Sequence, residues 1–477
     1  MRLHNSLTGV VEPFVPFREG EVRMYNCGPT VYKRAHIGNF RAYMLGDLLR
    51  RAFEFTGHRV TQIMNITDVG HLTVDDVADA QGEDKLQEEA QRRQLDPWQI
   101  AAEAEAWFHE DLKVLRCRPA HRYPRATDHV PEMIEMIEAL IASGHAYEVD
   151  GNVYFSVASF PRYGRLSGNR AEQLDAGASG RVEEREDKRH PHDFALWKRD
   201  EKHLMQWEAP WGRGFPGWHI ECSAMARKYL GDTLDVHTGG PDNKFPHHEC
   251  EIAQSESFTG RPFVRHWIHC GYLEIDGAKM AKRAGRLYLV PELTERGYAG
   301  ADIRLLLLKQ HYRSPLPFTI DLLDESRRIR ERLNHFVHYQ LAERPAGPAR
   351  PGLAAEIEGA RGRFRAAIED DLNTSEALAL LHGFQNAMNR AEPNAGEAAL
   401  ARGFLAEADA IFGILDEAPP RALEAEVEGL IAERQAHRKA RNFAKADAIR
   451  NDLLARGIEL YDTPGGVRWK RIEGGPR

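Results

Sequence analysis

Ile37, Phe40, Met44, Leu45, Leu48, Leu49, Ala52 and Phe53 recur at the i, i+3, i+4 and i+7 spacing of one buried helix face, and Gly57 ends the run. Ahead of this helix, residues 21–27 have strand character, closed by the turn pair Gly28-Pro29; behind it, 59–67 reads as a second strand. The pattern predicts a β-α-β unit whose loop and helix N-terminus lie at the carboxyl end of the first strand, where open parallel sheets bind ligands. A helix N-terminus carries unpaired N–H groups and about half a positive charge, so it favours an anion. Lys33, His36 and Gly38 flank that terminus, which makes it a candidate nucleotide site. Helix capping by His36 and simple packing at Gly38 fit the same local pattern.

Further along, 71–95 is dominated by Asp, Glu, Gln and Arg and reads as a solvated helix or mobile loop. Trp98, Ile100, Ala101, Ala104, Trp107, Phe108, Leu112 and Leu115 are helical in period, and 131–142 continues with Pro131 in the first turn and Gly144 just past the end. Two alternating runs flank Asp150-Gly151, a hairpin signal. Residues 161–218 read as loop-rich and charged; strand character returns at 234–237 and 263–275. Pro-rich stretches at 344–352 and 417–420 bracket helical periodicity at Ile357, Phe364, Ile368, Leu381, Phe384 and Met388. The expected fold class is α/β: a Rossmann-like parallel-sheet domain over 1–320 with a mixed insertion at about 95–215, a helical bundle over 321–418, and a small C-terminal domain over 421–477.

A length of 477 residues suits about three domains, and 42% hydrophobic with 29% charged residues suits a globular chain. No stretch approaches the ~18–20 apolar residues of a membrane span, and 1–10 lacks a secretory core, so a cytoplasmic protein without membrane contact is expected. Five scattered cysteines argue against a disulfide framework. The net charge of -8 disfavours nucleic acid, yet 431–477 holds eleven Lys and Arg against six Asp and Glu, a local basic surface. Residues 426–454 read as helix, with Arg434, Arg438, Lys439, Arg441, Lys445 and Arg450 available to phosphates, and Trp469 placed to stack on an unpaired base.

The densest set of candidate metal ligands is Pro246-His247-His248-Glu249-Cys250-Glu251. Pro246 can start a helix, which puts His247 and Glu251 one turn apart on one face; it turns His248 and Cys250 away. Gly217-Trp218-His219-Ile220-Glu221-Cys222 can supply a third ligand, and Cys27 lies where the first strand meets the nucleotide loop. A polar helix start with a free thiol is the competing reading. Asp242, after a strand, could hold a ribose hydroxyl or make a turn. Lys279 and Lys282, three apart in a Gly-flanked loop, can neutralise a triphosphate as charge moves toward pyrophosphate, although most such loops are merely solvated.

As a set, the motifs are more specific. His36-Ile-Gly-Asn39 after the first strand and Lys279-Met-Ala-Lys282 near the end of the nucleotide domain resemble the two signatures of class I aminoacyl-tRNA synthetases. Tyr25-Asn-Cys27-Gly-Pro-Thr-Val-Tyr32, Asn65-Ile-Thr-Asp68, Gly217-Trp-His-Ile-Glu-Cys222, Phe245-Pro-His247-His-Glu-Cys-Glu251 and Asp462-Thr-Pro-Gly-Gly-Val-Arg-Trp469 resemble the cysteinyl-tRNA synthetase family, in the family's order and over nearly the whole chain. The resemblance implies one zinc per chain at Cys27, Cys222, His247 and Glu251, ATP with Mg²⁺ at His36, Gly38, Asn39, Asp242, Lys279 and Lys282, and L-cysteine near Gly28, Thr67 and Trp218. It implies that 1–320 is catalytic, that 421–477 binds the anticodon of tRNA(Cys), and that the chain is a monomer. Asn39 stands at the second histidine position of the first signature and Ala281 at the serine position of the second; both changes keep the charge logic. Two rival readings are a ligase that couples cysteine to a small amine and a non-catalytic RNA-binding paralogue.

Overall fold

The computed structural model describes residues 1–74, 81–169, 188–275, 278–280, 287–342, 344–417, 421–463 and 466–471. The described chain falls into two compact units. The first comprises Met1–Leu289, Leu307–Phe318 and Arg363–Leu378; the second comprises Val290–Leu306, Thr319–Gly362 and Ala379–Arg477. Residues 321–418 and 421–477, expected as separate domains, contribute mainly to this one second unit.

A parallel four-stranded sheet centres the first unit. Strand β1 (Glu21–Asn26) leads through helix α1 (Ile37–Phe55) to β2 (Arg59–Met64), while α2 (Trp218–Leu230) precedes β3 (Leu234–Gly239), which leads through α3 (His247–Thr259) to β4 (Val264–His269). The order is β4-β3-β1-β2, so the two crossovers run in opposite directions from the β1–β3 pair. That switch point opens a crevice at the carboxyl ends of β1 and β3. All eight apolar positions predicted for the α1 face are buried, and Gly57 follows the helix with φ +91°.

Alternation along β1 separates two jobs. Asn26 faces α1, packed so closely that a Cβ on Gly46 would come within 2.8 Å of Asn26 Nδ2. Asn26 also donates to Thr238 Oγ1 at 2.5 Å and accepts from Gln62 at 2.8 Å, which ties β1 to both neighbours. Tyr25 points to the other face, in register with His237 of β3, their rings 5.1 Å apart.

The insertion contains helices Pro97–Val114 and Val130–Ala142 and an antiparallel sheet of Ala146–Val149, Asn152–Phe155, Phe194–Lys198 and Phe215–Pro216. The 161–218 segment is therefore less loop-like than its charge suggests: Phe194, Ala195, Leu196 and Trp197 are all buried in a strand without polar alternation. Residues 170–187 lie outside the described residues. Of the two readings of 71–95, the helix is found, but with one face buried; residues 75–80 lie outside the described residues. Leu72–Val74 pairs with Gln81–Asp84, and helix Lys85–Arg93 buries Leu86, Gln87, Glu89 and Ala90, capped by Asp84.

In the second unit, α4 (Ile320–His335), α5 (Pro351–Glu369), α6 (Thr374–Ala391) and α7 (Ala395–Phe412) supply the helical periodicity expected there, α5 and α6 each lying partly in the first unit. Helices α8 (Arg421–Lys439) and α9 (Phe443–Ala455) precede a hairpin of β5 (Ile458–Thr463) and β6 (Gly466–Arg471). The single helix expected over 426–454 is thus broken, at Arg441 with φ +58°.

Two expectations for this region are overturned. Trp469 is 5% exposed, in a core with Val427, Ile431, Leu453, Ile458 and Leu460, so its ring packs the hairpin against α8 and α9 and is not presented to a base. Arg434 is also 5% exposed and withdrawn from phosphates, whereas Arg438, Lys439, Arg441, Lys445 and Arg450 are exposed. Trp469→Ala is expected to cost about 3–5 kcal/mol of the second unit's stability, read by denaturant unfolding. Unchanged stability with impaired RNA binding would return Trp469 to a contact role.

Candidate active site and metal centre

Cys27 follows the last residue of β1, and its N–H donates to Thr238 O of β3 at 3.0 Å. Two residues beyond Tyr25, its side chain leaves the sheet on the same face, toward α2 and α3. Cys222 lies in the second turn of α2, whose N-terminus is Trp218; His247 and Glu251 occupy the first two turns of α3. One ligand atom from each of Cys27, Cys222, His247 and Glu251 lies within 4.8 Å of all the others, and all four residues are buried. His247 Nε2 is 3.4 Å from Cys222 Sγ and 3.2 Å from Glu251 Oε1. A tetrahedral ion with ligands at about 2.0–2.3 Å requires donors about 3.3–3.8 Å apart, so these separations suit it.

The donor chemistry fits a soft divalent cation. Burial pushes the Cys27 and Cys222 thiols and the Glu251 carboxyl up and the His247 imidazole down. A cation reverses this preference for the neutral thiol, because a coordinated thiol deprotonates. Glu251 Oε1 is buried and accepts no hydrogen bond, an expensive state for a carboxylate oxygen unless a cation faces it.

His237, His248 and His219 surround this group, and sequence reasoning had not placed them there. His237 Nε2 lies 2.9 Å from Glu251 Oε2, His219 Nδ1 lies 3.0 Å from His247 Nδ1, and His248 Nε2 lies 3.1 Å from Cys27 Sγ. Contrary to expectation, α3 does not turn His248 away: Cys27, His237, His248 and Glu251 form a second, overlapping donor group. A residue at i+3 is nearly as close on a helix as one at i+4, and Cys27 approaches from the His248 side. Cys250 does leave the group, its Sγ 3.5 Å from Tyr163 Oη. The alternation of Asp235, His237 and Gly239 along β3 was the available signal for His237.

Polar contacts connect this centre to the loop after β1. Trp218 stacks on His247 (4.3 Å) and on His71 (4.1 Å), and His71 meets Thr30 in that loop. Gly28 N–H donates to Asn65 Oδ1 at 2.9 Å, Asn65 Nδ2 to Thr67 Oγ1 at 3.0 Å, and Thr67 Oγ1 to the buried Glu221 at 2.9 Å. One chain of hydrogen bonds thus runs from Gly28 to Glu221, the residue before Cys222 on the helix that Trp218 begins.

At the N-terminus of α1, His36 is the N-cap residue, and its backbone N–H donates to Asn39 Oδ1 at 3.1 Å. Asn39 thus performs a capping task of its own. A Cβ on Gly38 would lie 3.0 Å from the His36 ring and 3.6 Å from Met280 Sδ, which brings the two signature segments face to face. Arg41 fixes this approach: its buried guanidinium donates to the carbonyls of Tyr272, His311, Tyr312 and Ser314, and Met280 N–H donates to Leu273 O at 2.8 Å. Asp242, in the turn Pro241–Lys244 after β3, accepts from Tyr272 Oη at 2.7 Å. The Lys279 backbone pairs with Glu274; its side chain and all of Lys282 lie outside the described residues.

Known proteins resemble this chain in sequence and in fold. Residues 13–328 match the model of the tRNA synthetases class I (C) catalytic domain, and 363–416 match the DALR domain. A cysteine–tRNA ligase of Symbiobacterium thermophilum is 47% identical, over 99% of this chain and 99% of its own. One of Thermus thermophilus is 44% identical, over 98% of each. The chain belongs to the cysteinyl-tRNA synthetase family. It is a ligase that joins cysteine to tRNA(Cys), as the full-length likeness to these enzymes supports. At the level of fold alone, the synthetase resembles Mycobacterium tuberculosis methionyl-tRNA synthetase in complex with methionyl-adenylate (TM-score 0.57, 13% identity, 83% of this chain and 90% of that one). A leucyl enzyme of Agrobacterium radiobacter K84 in a ternary complex with tRNA gives a TM-score of 0.60 at 11% identity, covering 84% and 85%. Among the described residues, no helix of the synthetase is long and apolar enough to cross a membrane.

Because Gly38 leaves the space that the His36 ring occupies, Gly38→Ala should displace the ring by a few tenths of an ångström or more. Cysteine-dependent ATP–pyrophosphate exchange is expected to fall about a hundredfold, with the thermal midpoint little changed. Unaltered exchange would show that the position of this ring is immaterial.

Proposed function

We propose that the synthetase activates L-cysteine with ATP at the crevice between β1 and β3, with one zinc ion held by Cys27, Cys222, His247 and Glu251 selecting the substrate sulfur. The observation that carries this reading is the meeting of those four buried donors beside Gly28, Thr67 and Trp218 at the carboxyl ends of the central strands. Cysteine and serine differ by one atom, a difference that a shaped pocket alone resolves by only about 1–3 kcal/mol. Zinc, when bound, supplies a soft centre that takes a thiolate far more readily than an alcohol.

The chain's own residues do the rest. His237 meets Glu251 at Oε2 and His219 meets His247 at Nδ1, so Glu251 Oε1 and His247 Nε2 are the atoms that would hold the ion. Trp218 and Thr67 flank the amino acid. The α1 N-terminus with His36, Gly38 and Asn39 receives the ATP phosphates, and Asp242 receives the ribose. The cysteine carboxylate attacks the α-phosphorus and pyrophosphate leaves, its growing charge met by Lys279 and Lys282; Mg²⁺ carried with ATP would add further positive charge there. A ribose hydroxyl at the 3′ end of tRNA(Cys) then attacks the acyl carbon and releases AMP. No protein nucleophile is required.

In this reading 1–320 is the catalytic part, with its insertion at about 95–215; 321–418 is a helical bundle, and 421–477 binds the anticodon through its exposed basic residues. The enzyme works as a cytoplasmic monomer.

Metal analysis and charging assays test the proposal together. The wild-type chain should carry about one zinc and charge tRNA(Cys) with cysteine in strong preference to serine. Cys222→Ser should lose most of the zinc and bring the preference down toward the factor of about 10–200 that a pocket alone supplies; an unchanged ratio would overturn the selective role of the metal. Lys282→Ala should depress pyrophosphate exchange by about 10²–10³ with zinc content intact, and normal exchange would remove Lys282 from the reaction.

A further inference from the structure

The second unit contains a cavity of about 600 Å³ that the proposed chemistry does not use. One wall is a face of α6: His382, Gln385, Asn386 and Asn389 succeed one another at i, i+3, i+4 and i+7. The adjoining face of that helix buries Leu381, Phe384 and Met388. A merely solvated helix face is usually built of Lys, Glu and Arg; this one is built of uncharged groups, three of them carboxamides that both donate and accept. Arg332 and His335 of α4 form the second wall, and Glu459 and Tyr461 of β5 the third. Tyr461 Oη lies 2.8 Å from His335 Nε2, which fixes two aromatic rings in the lining. Gln340 closes the cavity; its Oε1 is buried and has no hydrogen-bond partner.

His335 and Tyr461 meet edge to face, their planes inclined at 64°, and His335 also stacks on Tyr339. A ligand for this cavity must therefore present a flat face to one of the two rings, must offer both donors and acceptors to carboxamides, and must bring a donor for Gln340. A nucleobase meets all three demands, and Arg332 at the rim can take its phosphate. The volume falls within the usual range for a site of that size. We propose that this cavity is a nucleobase-binding site. The base is presented by an unpaired nucleotide of bound tRNA or by a free mononucleotide. The tRNA arm rests on the reading of the chain as a tRNA-charging enzyme; the mononucleotide arm does not.

The test uses the full-length double variant Asn386→Leu/Asn389→Leu, whose two positions are exposed on α6 and leave its packed face untouched. Each bidentate contact to a base is worth about 1–3 kcal/mol, so the KM for tRNA in cysteine charging should rise about tenfold or more. Cysteine-dependent pyrophosphate exchange and the unfolding midpoint should stay at their wild-type values. In parallel, AMP, CMP, GMP and UMP are titrated against both proteins by NMR. Binding by the wild type that the variant loses, with tRNA KM unchanged, assigns the cavity to free nucleotides; a raised tRNA KM assigns it to tRNA. Unchanged tRNA KM together with identical titrations overturns the site. Failure of the wild type to charge tRNA at all would defeat the proposed function while the mononucleotide titration still reads the cavity.

Discussion

The parallel pairing of β1 with β3, residues 24–26 against 236–238, is the constraint on which the first unit depends. It joins segments some 210 positions apart, so its chain-entropy cost is met only by the whole unit folding together. Once made, the pairing lays two carboxyl-terminal strand ends side by side. Cys27 and the α1 N-terminus arrive from one, Asp242 and α3 from the other. Asn26, hydrogen-bonded to both flanking strands, marks the middle of this joint.

Around the joint the interior is unusually polar. Cys27, Cys222, His237, His247, His248, Glu249 and Glu251 are all buried. Such a cluster is unfavourable as a set of isolated groups and acceptable as a network in which each member faces another or faces an ion. The imidazole partners of Glu251 and His247 act as outer supports, which orient the donors and hold their spare lone pairs away from the centre. The hydrogen bond from Thr67 to the buried Glu221 carries this polar network on to the chain that follows β2.

The second unit is organised differently. Its C-terminal hairpin packs Ile458, Leu460 and Trp469 against Val427, Ile431 and Leu453 of α8 and α9, while Arg438, Lys439, Arg441, Lys445 and Arg450 stay outside and Arg434 is buried. In the polar face of α6 and the His335–Tyr461 pair, groups that look like ordinary surface become a cavity wall.

By itself the sequence determined the parts whose signals are local: the α1 face with its Gly57 stop, the hairpin at Asp150-Gly151, the His247/Glu251 spacing on one helix, and the motifs that mark the family. These depend on propensity and period over a few turns, which a linear reading can follow. It misjudged the buried face of Lys85–Arg93, the strand Phe194–Lys198, Arg434 and Trp469, where composition pointed to solvent and tertiary packing chose burial. Only the tertiary structure decided that His237 and His248 flank Cys27 and Glu251, that Met280 faces Gly38, and that Arg41 clamps α1 to the chain beside it. Each of those contacts joins residues separated by many positions, and no local periodicity encodes which distant strand or helix comes to lie opposite.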